Sequence, residues 1–259
     1  MKNPIITLTT DFGTQDGYVG AMKGKILAIC PNANIIDITH DIRPQNILQC
    51  SWTLLRATTT FPEDSIHVAV VDPGVGSKRR PVLIKSEYRW YVGPDNGVFS
   101  EIIREKGTEE VYEIKTDTEW WKAHRSFDGL ALFAPAAAHL AGGLSPRDFS
   151  SPITQLLTII PKSIPKLESR MLRGKILMFD RFGNALTNIS KAYLEKIPQS
   201  SRLVSCHQQS FHWVSHYEHG KDHPAVALIN SDAYLELAVY SGSAEKTFDL
   251  KVGDIVTIR

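Results

Sequence analysis

Apolar positions along the first half of the chain switch repeatedly between a strand period and a helix period. Ile5 to Thr9 is a run of β-branched and aliphatic side chains, the mark of a buried strand, and it ends in the turn Asp11-Phe12-Gly13. Gly17 to Cys30 then places Val19, Met22, Ile26, Leu27 and Cys30 at helical spacing, with Pro31 as its stop. Asn34 to Ile38 predicts a second strand and Ile47 to Thr59 a second helix whose Ile47, Leu48, Leu54 and Leu55 share a face. Ile66 to Val71 is a third apolar run, cut off by Asp72-Pro73-Gly74. Strand and helix in alternation imply a parallel sheet, because parallel strands need a crossover between them. Pro81 to Ile84, Trp90 to Val92 and Val111 to Ile114 predict further strands, and Leu132 to Leu140 a further helix.

That rhythm fails between about Ser145 and Arg173, where Pro146, Pro152, Pro161 and Pro165 punctuate the chain. Beyond Gly174 the pattern is strand and turn: Lys175 to Phe179, Ala225 to Ile229, Tyr234 to Val239 and Asp254 to Ile258. The fold class is therefore α/β, with an N-terminal α/β domain on a mainly parallel sheet and a smaller C-terminal antiparallel β-barrel. The expected domains are 1–158 and 174–259, joined by a linker over 159–173.

Composition narrows the function more than the fold. The 259 residues are 42% hydrophobic and 22% charged, with a formal net charge of +1, so neither a nucleic acid nor an anionic membrane is expected as a partner. Cys30, Cys50 and Cys206 are far apart and never form a CxxC, which argues against a disulfide framework and for a reducing, cytoplasmic setting. The opening MKNPIITLTTDFG lacks the apolar core of a signal peptide. No apolar stretch reaches the roughly 20 residues that span a bilayer, so a soluble protein is expected.

In an open parallel sheet, ligands bind at the carboxyl ends of the strands. Asp11, Asp72 and Asp95 all fall at such ends or turns. Thr9-Thr10-Asp11-Phe12-Gly13 and Asp72-Pro73-Gly74-Val75-Gly76 each join a carboxylate to glycines that let backbone approach a ligand. Two carboxylate oxygens suit the adjacent hydroxyls of a ribose. The same residues also build plain Asx-turns and caps. Gly74-Val75-Gly76 is not GxGxxG and there is no Walker loop, so phosphate-based cofactors lose support.

Six segments in order, ITLTTDFGTQDGYVGAMKG, VAVVDPGVGSKRR, YVGPDNGVFS, FAPAAAHLAGG, DRFGNALTNI and INSDAYLELAVYSGSA, resemble the S-adenosyl-L-methionine hydrolase family. These hydroxide adenosyltransferases are related to fluorinase and chlorinase. The resemblance covers nearly the whole chain. It implies hydrolysis of S-adenosyl-L-methionine to adenosine and L-methionine, with that molecule as substrate and no separate cofactor. It also implies a homotrimer with the site between one subunit's N-terminal domain and the next subunit's C-terminal domain. Carried over by position, Asp11 would hold the ribose hydroxyls, and Phe182 and Asn184 would help enclose the adenine. Asp180 and Ser231 would lie near the methionine portion, with Tyr234 and the Ser241-Gly242-Ser243-Ala244 turn beside them and Phe127 lining the substrate. Asp72 and Arg79 match an aspartate and an arginine that hold the attacking water.

The third member of that group departs from the family. Where the family reads Phe-His-Gly-Arg-Asp, this chain has Phe127-Asp128-Gly129-Leu130-Ala131. Asp128 could serve as a carboxylate base in an altered catalytic role, or its charge could oppose that of Asp72. His124, four residues earlier, reads as a surface residue. A protein that binds S-adenosylmethionine or adenosine without turnover, or one that delivers the adenosyl group to a different nucleophile, are the alternatives this departure leaves open. A run from Cys206 and His207 through His212, His216, His219 and His223 is histidine-rich, but its irregular spacing and lack of HExxH predict a solvated loop and no metal site.

Overall fold

The computed structural model describes residues 3–117, 127–159, 164–168, 171–197 and 203–259. Two compact units divide the chain, Met1–Ile159 and Ile160–Arg259.

The first unit opens with β1 (Ile5–Thr10), α1 (Tyr18–Ile29), β2 (Asn34–Thr39), α2 (Ile47–Thr58) and β3 (Ile66–Val70). Then come β4 (Pro81–Ser86), β5 (Arg89–Pro94), α3 (Ser100–Lys106), β6 (Glu110–Ile114), α4 (Ala134–Ala141) and β7 (Ser150–Pro152). They form one sheet in the order β2-β1-β3-β5-β4-β6-β7. Neighbours are parallel from β2 to β5 and antiparallel beyond. The change of direction has a local cause. Glu87 and Tyr88, at φ 45° and 61°, make a two-residue turn with left-handed backbone, the kind that folds β4 directly onto β5.

Strands β1 and β3 are almost wholly buried, which is why they read as continuous apolar runs. Ile6, Leu8, Val68 and Val70 pack with Met22 and Ile26 of α1 and with four alanines of α4, Ala134, Ala136, Ala137 and Ala138. Methyl side chains let a helix approach a sheet closely. Leu27, expected on the inner face of α1, is instead 44% exposed. It follows Ile26 by one residue, about 100° around the helix, and so leaves the face that Val19, Met22 and Ile26 share. In α2, Asn46 caps the start by accepting a hydrogen bond from the Gln49 amide at 3.0 Å.

His67 on β3 lies in this core. Its Nδ1 is 2.8 Å from Thr7 Oγ1, its Nε2 has no partner among the described residues, and the rings of Phe61 and Tyr91 flank it. Burial, with a smaller contribution from Arg89, pulls its pKa from 6.5 down to about 3. An unfolded chain protonates this imidazole below about pH 6.5 while the folded one does not, so the unfolded state binds more protons there. Stability should therefore fall as pH drops from about 6.5 toward 3, by up to about 1.4 kcal/mol per pH unit from this residue. Thermal melts of a His67→Gln variant across that window should show a flatter acid limb; an unchanged slope would place the acid sensitivity elsewhere.

The second unit contains β8 (Lys166–Glu168), β9 (Met171–Phe179), β10 (Ala185–Ser190) and β11 (Val204–Cys206), followed by β12 (Gln209–Trp213), β13 (Val226–Ile229), β14 (Tyr234–Ala238) and β15 (Ile255–Ile258). Their order is β10-β14-β13-β12-β11-β15-β9-β8, and pairing of β9 with β10 closes seven of them into a barrel. Closure leaves those seven without a free edge. All described pairs are antiparallel except β12 with β13. Leu172, Ile176, Ile189, Leu235, Leu237, Val256 and Ile258 fill the interior. At Gly174 a Cβ would stand 2.3 Å from Ile189 Cγ1, so only glycine lets β9 pass this close to β10. Strands β8, β10, β11 and β12 and the first residues of β9 carry no clear period in the sequence; they are short, and barrel pairing rather than propensity holds them extended.

Candidate active site

Chemistry-bearing side chains of the first unit collect beyond the carboxyl ends of its parallel strands. The loop after β3 doubles back on itself: the Val75 amide donates to Asp72 O at 3.2 Å and the Ser77 amide to Gly74 O at 3.0 Å. Gly76 takes φ +79°, a conformation that suits glycine. This returns Arg79 onto Asp72. Arg79 Nε donates to Asp72 Oδ2 at 2.8 Å, and its terminal nitrogen stands 2.6 Å from the same oxygen.

The same terminal nitrogen of Arg79 also donates to Asp128 Oδ2. All three side chains are at least nine-tenths buried, with 10% exposure for Arg79, 5% for Asp72 and 7% for Asp128. Burial alone would lower the Arg79 pKa; its hydrogen bonds and charge pairing with Asp72 and Asp128 outweigh that and raise it. Its guanidinium carbon also lies 5.4 Å from the centre of the Phe133 ring. One cation thus sits between two carboxylates. Asp72 Oδ1 is buried with no hydrogen-bond partner among the described residues.

Asp128 starts a π-helical turn, Gly129–Phe133, that runs into α4. Such turns recur at functional sites. At Gly129 a Cβ would stand 2.7 Å from the Phe127 ring, so glycine is what lets Phe127 fold back. Phe127 there meets Phe12 and Tyr18, with ring centres 5.4 and 5.0 Å away. Phe12 adjoins Asp11, so the aromatic trio ties the turn after β1 to the Asp128 region. Asp11 Oδ2 accepts from the Gln45 amide at 2.7 Å, which fixes the carboxylate. Nothing in the apolar periodicity marked Phe12 or Tyr18 as part of this wall.

Asp95, third of the strand-end carboxylates, is committed to structure. Its Oδ2 accepts from Arg80 Nε at 3.0 Å and its Oδ1 from the Leu157 amide at 2.7 Å. His124 lies outside the described residues.

In the barrel unit, Asp180 closes its own turn. Its Oδ1 accepts from the amides of Phe182 and Asn184 at 2.9 and 2.8 Å, and Asn184 Nδ2 donates to Oδ2 at 3.0 Å. Phe182 is thereby thrust outward, 75% exposed. Asp180, Phe182 and Asn184 line a cavity of about 600 Å³ together with Tyr217, Val239, Tyr240, Ser241 and Gly242. That volume suits a drug-sized ligand. Tyr217 and Tyr240 went unrecognised in the sequence because they sit in irregular segments. Behind the cavity, buried Glu236 accepts from the Tyr217 hydroxyl and, at 3.0 Å, from Asn230 Nδ2. Ser243 caps a short helix by accepting from the Lys246 amide at 3.2 Å, and its Oγ would lie 2.0 Å from a Cβ at position 183. Ser231 is exposed on the turn between β13 and β14, and Tyr234 opens β14 opposite Ser190.

An α/β unit with an arginine clamped between carboxylates, and a β-barrel with an aromatic-rimmed cavity, define a two-domain small-molecule enzyme. Residues 6–150 match the family model for the SAM hydroxide adenosyltransferase N-terminal domain, and residues 174–257 that for its C-terminal domain. The chain belongs to the SAM hydroxide adenosyltransferase family. An (R)-S-adenosyl-L-methionine hydrolase of Methanocaldococcus jannaschii is 35% identical, with 98% of this chain and 95% of that protein aligned. One from Thermus thermophilus is 32% identical over 94% of this chain and 95% of its own length. A fluorinase of Actinoplanes is more distant, 26% identical over 99% of this chain and 97% of its own. In structure, an uncharacterized conserved protein from Thermotoga maritima superimposes with a TM-score of 0.89 at 31% identity, covering 98% of this chain and 99% of that one. No helix among the described residues is long and apolar enough to cross a membrane.

Proposed function

We propose that this enzyme hydrolyses S-adenosyl-L-methionine to adenosine and L-methionine by attack of water at the ribose 5′ carbon. The observation that carries the mechanism is Asp72, whose Oδ2 is held by Arg79 while its buried Oδ1 has no partner among the described residues. A buried carboxylate oxygen calls for a donor, and a water bound there is held against a general base. As the water oxygen bonds to C5′, the C5′–S bond breaks and its electron pair passes to sulfur. The sulfonium becomes a neutral thioether, and the water proton goes to Asp72 and then to solvent. No electrons leave the substrate, so the reaction calls for no redox cofactor.

Asp128 is read as a positioning residue. It shares the terminal nitrogen of Arg79 with Asp72, so the guanidinium is tied to both carboxylates and Asp72 is held in one orientation. Two carboxylates around one arginine leave an excess of one negative charge, which favours a cationic sulfonium and opposes a halide. Asp11 Oδ1 takes the ribose hydroxyls, with Phe127, Phe12 and Tyr18 as an apolar wall. Asp180, Phe182, Asn184, Ser231, Tyr234 and Ser243 contribute the adenine and methionine contacts. The enzyme works in the cytoplasm as a homotrimer in which the barrel of one copy completes the site of the next. Light scattering should then give three times the chain mass; a stable monomer that retains activity would contradict this.

The function is tested by incubating purified protein with S-adenosyl-L-methionine and resolving the products chromatographically. Adenosine and methionine in equal amounts are expected, and calorimetric binding without product would make the protein a binder instead. The two carboxylates are separated by Asp128→Asn, which keeps an oxygen acceptor for Arg79 while removing the charge. A loss of about tenfold in kcat/KM is expected, well short of the general-base range. A loss as large as that of Asp72→Asn would move the base to Asp128.

A further inference from the structure

The histidine-rich stretch of the barrel does not act as one unit. His212 and His223 stack face to face with ring centres 3.6 Å apart. His216 and His219 meet edge to face, and His219 Nδ1 lies 3.0 Å from Ser215 Oγ. His207 does something else. It occupies the turn between β11 and β12, directly after Cys206, and faces Asp254 at the entrance to β15. Strand β15 pairs with β11, with Val256 opposite Cys206, so the barrel seam brings together residues nearly fifty positions apart.

One ligand atom each from Cys206, His207 and Asp254 lie within 4.8 Å of one another, and no other such trio occurs among the described residues. His207 Nε2 is 3.0 Å from Asp254 Oδ2. The carboxylate is set in place beforehand: Oδ2 accepts from the Lys251 amide at 2.7 Å, and the Asp254 carbonyl accepts from the Ile176 amide at 3.0 Å. Cys206 is 1% exposed, whereas the His207 side chain is 49% exposed, so the cluster opens to solvent through the imidazole. His207 has φ +53°, where turn chemistry favours Asn or Gly. The demands of the turn therefore do not account for a histidine at this position.

We propose that Cys206, His207 and Asp254 bind a thiophilic divalent cation of the zinc type, with solvent as the fourth ligand. Sulfur, imidazole nitrogen and a single carboxylate suit zinc, whereas calcium and magnesium need several hard oxygens. Tetrahedral ligands at zinc bond lengths stand about 3.2–3.8 Å apart, so the widest separation contracts by only about 1 Å. On binding, the thiol proton passes to solvent and a metal–sulfur bond forms. The cation joins the β11–β12 turn to the start of β15 and braces the seam where the last strand enters the barrel. Any ligand that binds only the folded chain also stabilises it. The cluster uses none of the residues assigned to adenosine formation and does not depend on that assignment.

The test uses the full-length protein, stripped of metal with a chelator and titrated with cobalt(II), whose thiolate complexes absorb in the near ultraviolet. One cobalt per chain with a thiolate charge-transfer band, displaced by zinc, is expected. Cys206→Ser should abolish the band, and His207→Ala, on an exposed turn that tolerates truncation, should weaken binding by at least about tenfold. Replacing His212, His216, His219 and His223 together by Asn should leave both band and affinity unchanged. Absence of a thiolate band, its survival in Cys206→Ser, or full affinity in His207→Ala would each overturn the proposal.

Discussion

Asp72→Asn is expected to lower the rate of adenosine release by about 10³, within the range of a lost general base, while leaving the fold and substrate binding in place. The amide keeps the shape of the side chain, and its oxygen can still accept from Arg79 Nε, which now bonds Asp72 Oδ2 at 2.8 Å. Arg79 also keeps its ion pair with Asp128, so no buried charge is left alone. What disappears is the buried acceptor that Oδ1 presents to the attacking water. Single-turnover kinetics beside calorimetric binding check the split: kcat should collapse and affinity for S-adenosyl-L-methionine should change little. A variant that retains more than about a tenth of the native rate would show that water is activated elsewhere, since a lost general base costs roughly 10²–10⁴-fold.

Arg79→Met should be the most damaging single change to the stability of the first unit. The guanidinium is the shared counter-ion of Asp72 and Asp128, each with a side chain no more than 7% exposed. Its removal leaves two carboxylates facing one another out of water, and breaking a buried ion pair from one side costs roughly 3–5 kcal/mol. For a unit of this size that corresponds to a fall in Tm of about 10 °C. Like charges that close cannot both stay ionised cheaply, so the deficit should narrow as pH falls and one carboxyl takes up a proton. Adding Asp128→Asn to Arg79→Met should recover part of the stability at neutral pH without restoring turnover. If the single variant melts within about 1 °C of the native protein, less than 1 kcal/mol of such an effect allows, the two aspartates are not held together by this arginine.

Much of this protein was legible in one dimension. The switch from strand to helix periods before residue 140, and its loss after Gly174, separates an α/β unit from a β unit, because buried parallel strands must be apolar on both faces and their crossovers must be amphipathic. Placement of Asp11 and Asp72 at strand ends follows from the same pattern. The pairing of Asp72 with Arg79 came from the resemblance to the hydrolase family, and the fold brings the two into contact through a loop that returns within seven residues.

Longer-range pairings did not show. Asp95 stood beside Asp11 and Asp72 as an equal candidate, yet Arg80 and the Leu157 amide occupy both of its oxygens, and that contact crosses 62 positions. Asp128 read either as a carboxylate base in place of the family histidine or as a charge opposing Asp72. Only the fold shows that it grips Arg79 across 49 positions and shares that cation with Asp72. The same holds in the barrel, where closure of the sheet rather than the histidine tract selects Asp254 as the neighbour of Cys206 and His207. Local periodicity determines which face of an element is buried, because that depends on residues a few positions apart. Which charges meet depends on how strands order themselves in a sheet, and that is decided by packing over the whole domain.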